Sequence, residues 1–256
     1  MSIDQRQREI VEFVREHKTA KVATLSKQFK VSAETIRKDL VELDEMGLLV
    51  RVHGGARLKL ADRESAYSIR ESSHLEDKEA IAHLALQLIE DDSTVYLDYG
   101  TTTRAIAEAL VSSGRRLTIV TNALPVADLV ATSDTLECMV LGGILRRNGG
   151  ALYGPTGENA LESLNFDIGF FGCGGIDADA EITNHFPLEV ALSRKAMSRC
   201  GRVIIVADSS KLDSIAVHRL ARFAEVDVLL TSEKPSTDVL TALEESGVRL
   251  GVVDSH

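Results

Sequence analysis

Apolar residues in the first sixty positions recur at helical spacing. Ile10, Phe13 and Val14, with Ile3 ahead of them, fall on one side of a helix predicted over Gln5–His17. A break at Lys18–Lys21 follows. Leu25 and Phe29, four apart, mark a second helix over Val22–Phe29. Ser32 offers a hydroxyl that can accept a first-turn amide, so it N-caps a third helix over Ala33–Met46. Ile36, Leu40 and Leu43 stand at i, i+4 and i+7 and form that helix's inward stripe. Gly47 is placed to end it. Leu48–Arg57 then reads as two short strands around His53-Gly54-Gly55, a basic hairpin.

Residues 59–76 are polar with few apolar anchors and read as a linker. Beyond them the pattern changes. Short runs of aliphatic and β-branched residues predict strands at Thr94–Asp98, Leu117–Val120, Leu136–Leu141, Asp167–Gly172, Val203–Ala207 and Val226–Thr231. Helical stripes lie between most of them, such as Ile81, Leu84, Ala85, Leu88 and Ile89, or Ile106, Ala109 and Leu110. This alternation predicts an α/β, Rossmann-like domain: a mostly parallel sheet with helices on both faces. Ligands of such sheets bind at the carboxyl ends of the strands. The expected organisation is a helical unit over 1–58, a linker over 59–76 and an α/β domain over 77–256.

Composition changes this picture little. Aromatics are only 4% of the chain and Trp is absent, so the core has to be aliphatic. No apolar run approaches the roughly 20 residues of a membrane helix, and the charged N-terminus lacks a signal-peptide core. A cytoplasmic protein without a membrane partner is expected. Cys138, Cys173 and Cys200 are far apart, with no C-x-x-C pair, so they read as reduced thiols and call for no metal or cofactor.

Charge is more informative. The chain has a net charge of −10, yet residues 1–60 carry 12 Lys+Arg against 9 Asp+Glu, leaving 17 against 30 in the rest. A basic end on an acidic body is expected when one end alone meets phosphate. Three helices and a basic hairpin make that end a winged helix-turn-helix, a reader of double-stranded DNA. An ordinary three-helix domain with a solvated face is the alternative, disfavoured by the cap and the Gly-Gly hairpin together. The start of a recognition helix reaches base edges, and here it offers Ser32, Glu34, Thr35, Arg37 and Lys38. Arg51, His53 and Arg57 on the hairpin are placed for backbone or minor groove.

The stretch VATLSKQFKVSAETIRKDLVELDEMGLLVRVHGGA resembles the helix-turn-helix signature of the DeoR/GlpR family of bacterial sugar-metabolism regulators. The resemblance continues through LDYGTTT, VTNALPVA, LGGILRR, GGID and ADSSK, and so covers nearly the whole chain. It implies a C-terminal domain similar to the ribose-5-phosphate isomerase and CoA-transferase folds, sensing a phosphorylated sugar, in a protein that usually represses transcription. Two places depart from the family pattern. Where relatives have a glycine shortly before a Thr/Ser pair, this chain reads Asp179-Ala180-Glu181-Ile182-Thr183-Asn184; where they have Phe-Gly it has Leu212-Asp213.

The residues themselves point the same way. Asp98, Tyr99, Gly100, Thr101, Thr102 and Thr103 lie where a strand gives way to a helix, and the helix-end amides with three hydroxyls would cradle a phosphate, unless the threonines are only caps. Thr121 and Asn122, Gly143 with Arg146, Gly175 with Asp177, and Asp208 with Lys211 follow four other strands. Asp98 and Asp177 suit sugar hydroxyls, while Arg146 and Lys211 suit phosphate or lie solvated at the surface. Glu189 and Lys195, on a helical pattern over Pro187–Cys200, serve either as ligand groups or as a salt-bridged helix surface. The expected function is a repressor of a carbohydrate operon, working as a homodimer or homotetramer on operator DNA and released by a phosphorylated sugar. The competing expectation is a sugar-phosphate isomerase-like enzyme with an appended DNA reader, using Asp98, Asp177, Glu189 and Lys195 as acid–base groups.

Overall fold

The computed structural model describes residues 5–17, 19–45, 49–52, 54–58, 67–146, 149–179 and 181–253. The chain divides into two compact units, Met1–Ser65 and Ala66–His256.

In the first unit α1 (Gln5–His17), β1 (Thr19–Lys21), α2 (Val22–Phe29), α3 (Ala33–Glu45), β2 (Leu49–Val52) and β3 (Gly55–Leu58) follow one another. Ile10 and Val14 from α1, Leu25 from α2, and Ile36, Leu40 and Leu43 from α3 share one buried cluster with Leu49 and Ala56. A charged clamp joins α1 to α3: the Arg6 guanidinium donates to both oxygens of the buried Asp39, at 2.8 and 3.0 Å. Most of the expected break after α1 is a strand instead. β1 pairs antiparallel with β3, giving a three-stranded sheet of order β1-β3-β2. The close approach needs a glycine, because a β-carbon on Gly55 would lie 2.2 Å from the Ala20 carbonyl oxygen. Its neighbour Gly54, at φ +81°, turns the hairpin. Ile3, Met46, Gly47 and His53 lie outside the described residues.

The second unit begins earlier than the sequence suggests. Residues 67–76, expected as linker, form α4 (Tyr67–Ser72) and the start of α5 (Leu75–Leu86). Tyr67 packs on the core and stacks on Tyr99 with ring centroids 5.4 Å apart. The polar look of this stretch hides two anchors, Tyr67 and Arg70, one helical turn apart. Then come β4 (Thr94–Leu97), α6 (Thr101–Ser113), β5 (Leu117–Thr121), α7 (Leu124–Val130), β6 (Leu136–Val140), β7 (Ile144–Leu145), β8 (Leu152–Tyr153) and α8 (Pro155–Ala160). They are followed by β9 (Ile168–Gly172), β10 (Gly175–Asp177), β11 (Glu181–Asn184), α9 (Pro187–Met197), β12 (Val203–Ala207), β13 (His218–Ala221), β14 (Val228–Thr231), α10 (Thr237–Glu245) and β15 (Arg249–Val252).

Seven strands form a parallel sheet of order β15-β14-β12-β9-β4-β5-β6. Alternate side chains feed two cores. Val95, Leu97, Ile204 and Val206 face a cluster with Ile81, Ile106 and Leu110 from α5 and α6. Tyr96, Val203, Ile205 and Ala207 face another with Leu192 and Ala196 from α9 and Leu243 from α10. The six expected strands are all in this sheet. The seventh, β15, and the small antiparallel sheets β10-β11-β13 and β7-β8 were not legible, being short and partly polar. Among the described residues, no helix is long and apolar enough to cross a membrane.

Candidate functional site

From β4 the chain runs outward through β5 and β6, then returns to the other flank of β4 with β9, β12, β14 and β15. The connections diverge between β4 and β9, which opens a crevice at the carboxyl ends of those strands. Asp98 lies at its floor, 3% exposed. One carboxylate oxygen accepts the Tyr99 amide at 2.9 Å and the other the Ser193 hydroxyl at 2.7 Å. Burial outweighs both bonds and pushes the Asp98 pKa up to about 7. Glu189, one turn before Ser193 on α9, is also buried and accepts from Arg146 at 2.5 Å. Burial raises its carboxyl pKa, against the pull of Arg146. The Arg146 guanidinium lies 4.9 Å from the Phe186 ring centroid and 5.8 Å from that of Tyr99. Arg70 from α4 lies 5.9 Å from the same Tyr99 ring and donates to its hydroxyl at 3.5 Å. Burial lowers the Arg70 pKa. Gly149 leaves room for Tyr99, since a β-carbon there would stand 2.0 Å from the phenol oxygen.

A second charged group gathers where β12 ends. Asp208 accepts the Ser210 amide at 3.1 Å and the Ser210 hydroxyl as well. Burial alone would raise its pKa, but Lys211, the Ser210 hydroxyl, His74 and Lys78 together hold it below the usual value. Lys78 on α5 is 3% exposed and its ammonium donates to the Arg70 and Ser73 carbonyls, tying α5 to the end of α4. Burial lowers the Lys78 pKa, while Asp208 supports its charge and Lys211 opposes it. Lys78 and Thr101, at the start of α6, line one cavity, and ammonium groups, helix-start amides and threonine hydroxyls are the chemistry of oxyanion recognition.

In the first unit Ser32 caps α3, its hydroxyl accepting the Thr35 amide at 3.1 Å. Glu34 and Arg37 form an exposed pair at 3.1 Å, and Lys38 is exposed beside them. Such a pair holds its partners weakly, so Arg37 can exchange Glu34 for another acceptor. Thr35 is half-buried, and Arg51 is exposed on β2. Arg57 pairs through its backbone with Thr19 and Val50.

Residues 6–60 match the DeoR-like helix-turn-helix domain, and residues 73–233 match the DeoR C terminal sensor domain. The chain belongs to the DeoR family. It is 35% identical over 245 residues to the HTH-type transcriptional regulator GlpR of Haloferax volcanii, covering 95% of each chain. It is 32% identical over 250 residues to the glycerol-3-phosphate regulon repressor of Escherichia coli, covering 98% of this chain and 99% of that one. Ribose 5 phosphate isomerase A from Neisseria gonorrhoeae is similar at 18% identity and a TM-score of 0.39, over 56% of this chain and about half (54%) of that one.

Within the DeoR sensor domain the sequence-nominated residues fall into different surroundings. Asp98, Glu189 and Arg146 come together through Ser193 and their own ion pair, Asp208 and Lys211 meet at the end of β12, and Gly100, Thr101 and Thr102 open α6. Thr103, Thr121 and Asn122 lie close by but spend their polar groups on the fold. The Thr103 hydroxyl donates to the Asp98 and Gly100 carbonyls, the Thr121 hydroxyl donates to the Leu97 carbonyl, and Asn122 bonds Tyr96 and the Leu152 carbonyl. Gly143 and Gly175 are packing glycines, where a β-carbon would stand 2.5 Å from the Tyr153 carbonyl oxygen and 2.3 Å from that of Ser214. Asp177 ends β10 and accepts the Asp179 amide at 3.0 Å. Lys195 is not brought to the group: two residues past Ser193 it points round the helix and pairs with Glu162 at 3.1 Å.

Sequence reasoning missed Arg70, Lys78, Tyr99 as a ring platform, and Ser193. The i, i+4 spacing of Glu189 and Ser193 was the available signal for the last. Both departures from the DeoR pattern fall on left-handed backbone, Glu181 at φ +61° and Asp213 at φ +51°, where glycine is at ease. Glu181 is pinned there by the Phe223 amide at 3.1 Å and Arg219 at 3.7 Å.

Proposed function

We propose that this chain is a cytoplasmic repressor of a carbohydrate catabolic operon. The start of α3 and the β2–β3 wing, with Ser32, Glu34, Thr35, Arg37, Lys38, Arg51, His53 and Arg57, engage operator DNA, two or four copies acting together. A phosphorylated sugar enters the β4–β9 crevice. Lys78, Lys211, the Thr101 and Thr102 hydroxyls and the first amides of α6 hold its phosphate. Arg146 with Glu189, and Arg70 with Tyr99, meet the sugar. Bound ligand favours the arrangement with low DNA affinity, since only a difference in affinity can move the balance.

The observation that carries this reading is a DeoR reader and a DeoR sensor on one chain, with the buried Lys78 and the half-buried Arg70, Arg146 and Lys211 gathered in the sensor. The enzyme alternative is less well served, because Lys195, one of its four acid–base candidates, pairs with Glu162 at the surface and not with Asp98 or Glu189. A mobility-shift titration on the DNA upstream of the gene, run with a panel of triose, pentose and hexose phosphates, tests the proposal. A salt-sensitive shift at roughly micromolar protein or below is expected, with release by one of the sugar phosphates. Lys211→Ala and Thr102→Val should leave the shift intact and weaken release about tenfold or more. No shift, or release untouched by both substitutions, would count against it.

A further inference from the structure

At the far side of the seven-stranded sheet β6 has an open edge. The Leu141 amide donates to the Thr121 carbonyl of β5 at 2.8 Å, which sets the parity of the strand. Residues 137, 139 and 141 turn their peptide groups to β5, so Leu136, Cys138 and Val140 turn theirs outward. The side chains are uncovered too: Glu137, Cys138, Met139 and Val140 are all exposed, although strands of a doubly wound sheet are normally buried on both faces. Beyond Gly142 and Gly143, the β7-β8 hairpin adds Ile144 and Leu145. Met139, Val140, Ile144 and Leu145 are 46%, 41%, 61% and 53% exposed. Proteins guard free edges with charge, proline, bulges or a covering element. Within β6 Glu137 is the single charge and no proline is present, whereas the opposite edge strand, β15, begins with Arg249 and has Leu250 and Val252 half-buried.

We propose that β6 and the β7-β8 hairpin form the surface on which a second copy of this chain docks, with two β6 strands pairing antiparallel across a twofold axis at Cys138. It rests on the self-associating part of the function proposed above. Full overlap of the five-residue strand sets Cys138 opposite the partner's Cys138 and Leu136 opposite the partner's Val140. The three outward peptide units of each copy then exchange about six hydrogen bonds. Glu137 faces the partner's Met139, whereas an axis at position 137 would set glutamate against glutamate. A strand that is apolar, singly charged and complementary to itself under twofold rotation asks for no chemistry that its own copy lacks. The four apolar side chains expose on the order of 400 Å² per copy. Two copies would bury about 800 Å² of the roughly 1,600 Å² of a standard interface before backbone and neighbours are counted. The hairpin on this surface leads directly into Arg146, which is bound to Glu189 in the crevice. A ligand that rearranges this pair therefore acts on the interface.

The test uses the full chain, without DNA or ligand. Sedimentation at roughly 10 µM measures its association state, a concentration a standard interface should saturate. A short bis-maleimide cross-linker then probes Cys138. A dimer or tetramer is expected, cross-linked in the native chain and not in Cys138→Ser. Val140→Glu and Ile144→Glu, both at exposed positions, should weaken association about tenfold or more at an unchanged far-UV circular dichroism spectrum. A cross-link lost with Cys138→Ser, together with weakened association in either glutamate variant, supports the interface. Any other combination overturns it. An oligomer that fails these criteria removes this surface and leaves self-association standing, whereas a monomeric full chain removes both. DNA release by a sugar phosphate is scored separately.

Discussion

Asp98 shows how burial sets the chemistry of a single group. Its two oxygens are occupied by Tyr99 and Ser193, so it orients the crevice floor more than it offers itself to a sugar hydroxyl. Its folded pKa of about 7, against an ordinary value of 3.8, means that the folded state holds a proton that the unfolded chain has released. Stability from this group is full below about pH 4 and is lost as pH rises through about 7. The thermal midpoint of Asp98→Asn, followed from about pH 5 to 8.5, should therefore fall less with pH than that of the native chain. Parallel profiles would show that the carboxylate is solvated. Lys78 is the complementary case, an ammonium kept in place by two carbonyls of the preceding turn and helix.

Among the elements, the reader depends on one close approach. β1 reaches β3 only where Gly55 has no side chain, and the atom in the way is a backbone carbonyl that cannot move aside. Gly54 differs: it carries the left-handed turn, but nothing lies within 4 Å of a β-carbon there. Gly54→Ala should cost about 1 kcal/mol for its backbone conformation, and Gly55→Ala about 3 kcal/mol or more for overpacking. Thermal unfolding of the first unit measures both, and equal losses would refute the distinction. In the sensor, α9 sorts its residues by helical phase. Glu189 and Ser193 face the crevice, while Lys195 faces Glu162.

The whole molecule has two separate hydrophobic systems, one built on Ile36, Leu40 and Leu43 and the other on both faces of the parallel sheet. Scanning calorimetry should resolve two transitions. The sugar phosphate that releases DNA should raise only the one belonging to the sensor, by about 2.7 kcal/mol at a hundredfold excess over its dissociation constant. A shift of both, or one merged transition, would mean that the units unfold together. Charge is divided in the same way. The acidic body, with 30 Asp+Glu against 17 Lys+Arg beyond residue 60, is ill suited to a polyanionic duplex, so that the basic end is the one suited to DNA.

The sequence determined the three reader helices, the six central strands and the loops that carry most of the crevice. Those features rest on local periodicity, caps and strand-end composition, each written within a few consecutive residues. Tertiary structure alone decided which groups meet. Arg70 looked like linker until α4 folded back on Tyr99. Thr103, Thr121 and Asn122 looked like ligand groups until neighbouring carbonyls and hydroxyls claimed them. β1 looked like a break until β3 paired with it, and β6 looked like any buried strand until its place at the end of the sheet left it uncovered. Each of these outcomes depends on partners far along the chain, and a local pattern carries no record of which distant backbone or side chain arrives to satisfy a polar group or cover an apolar one.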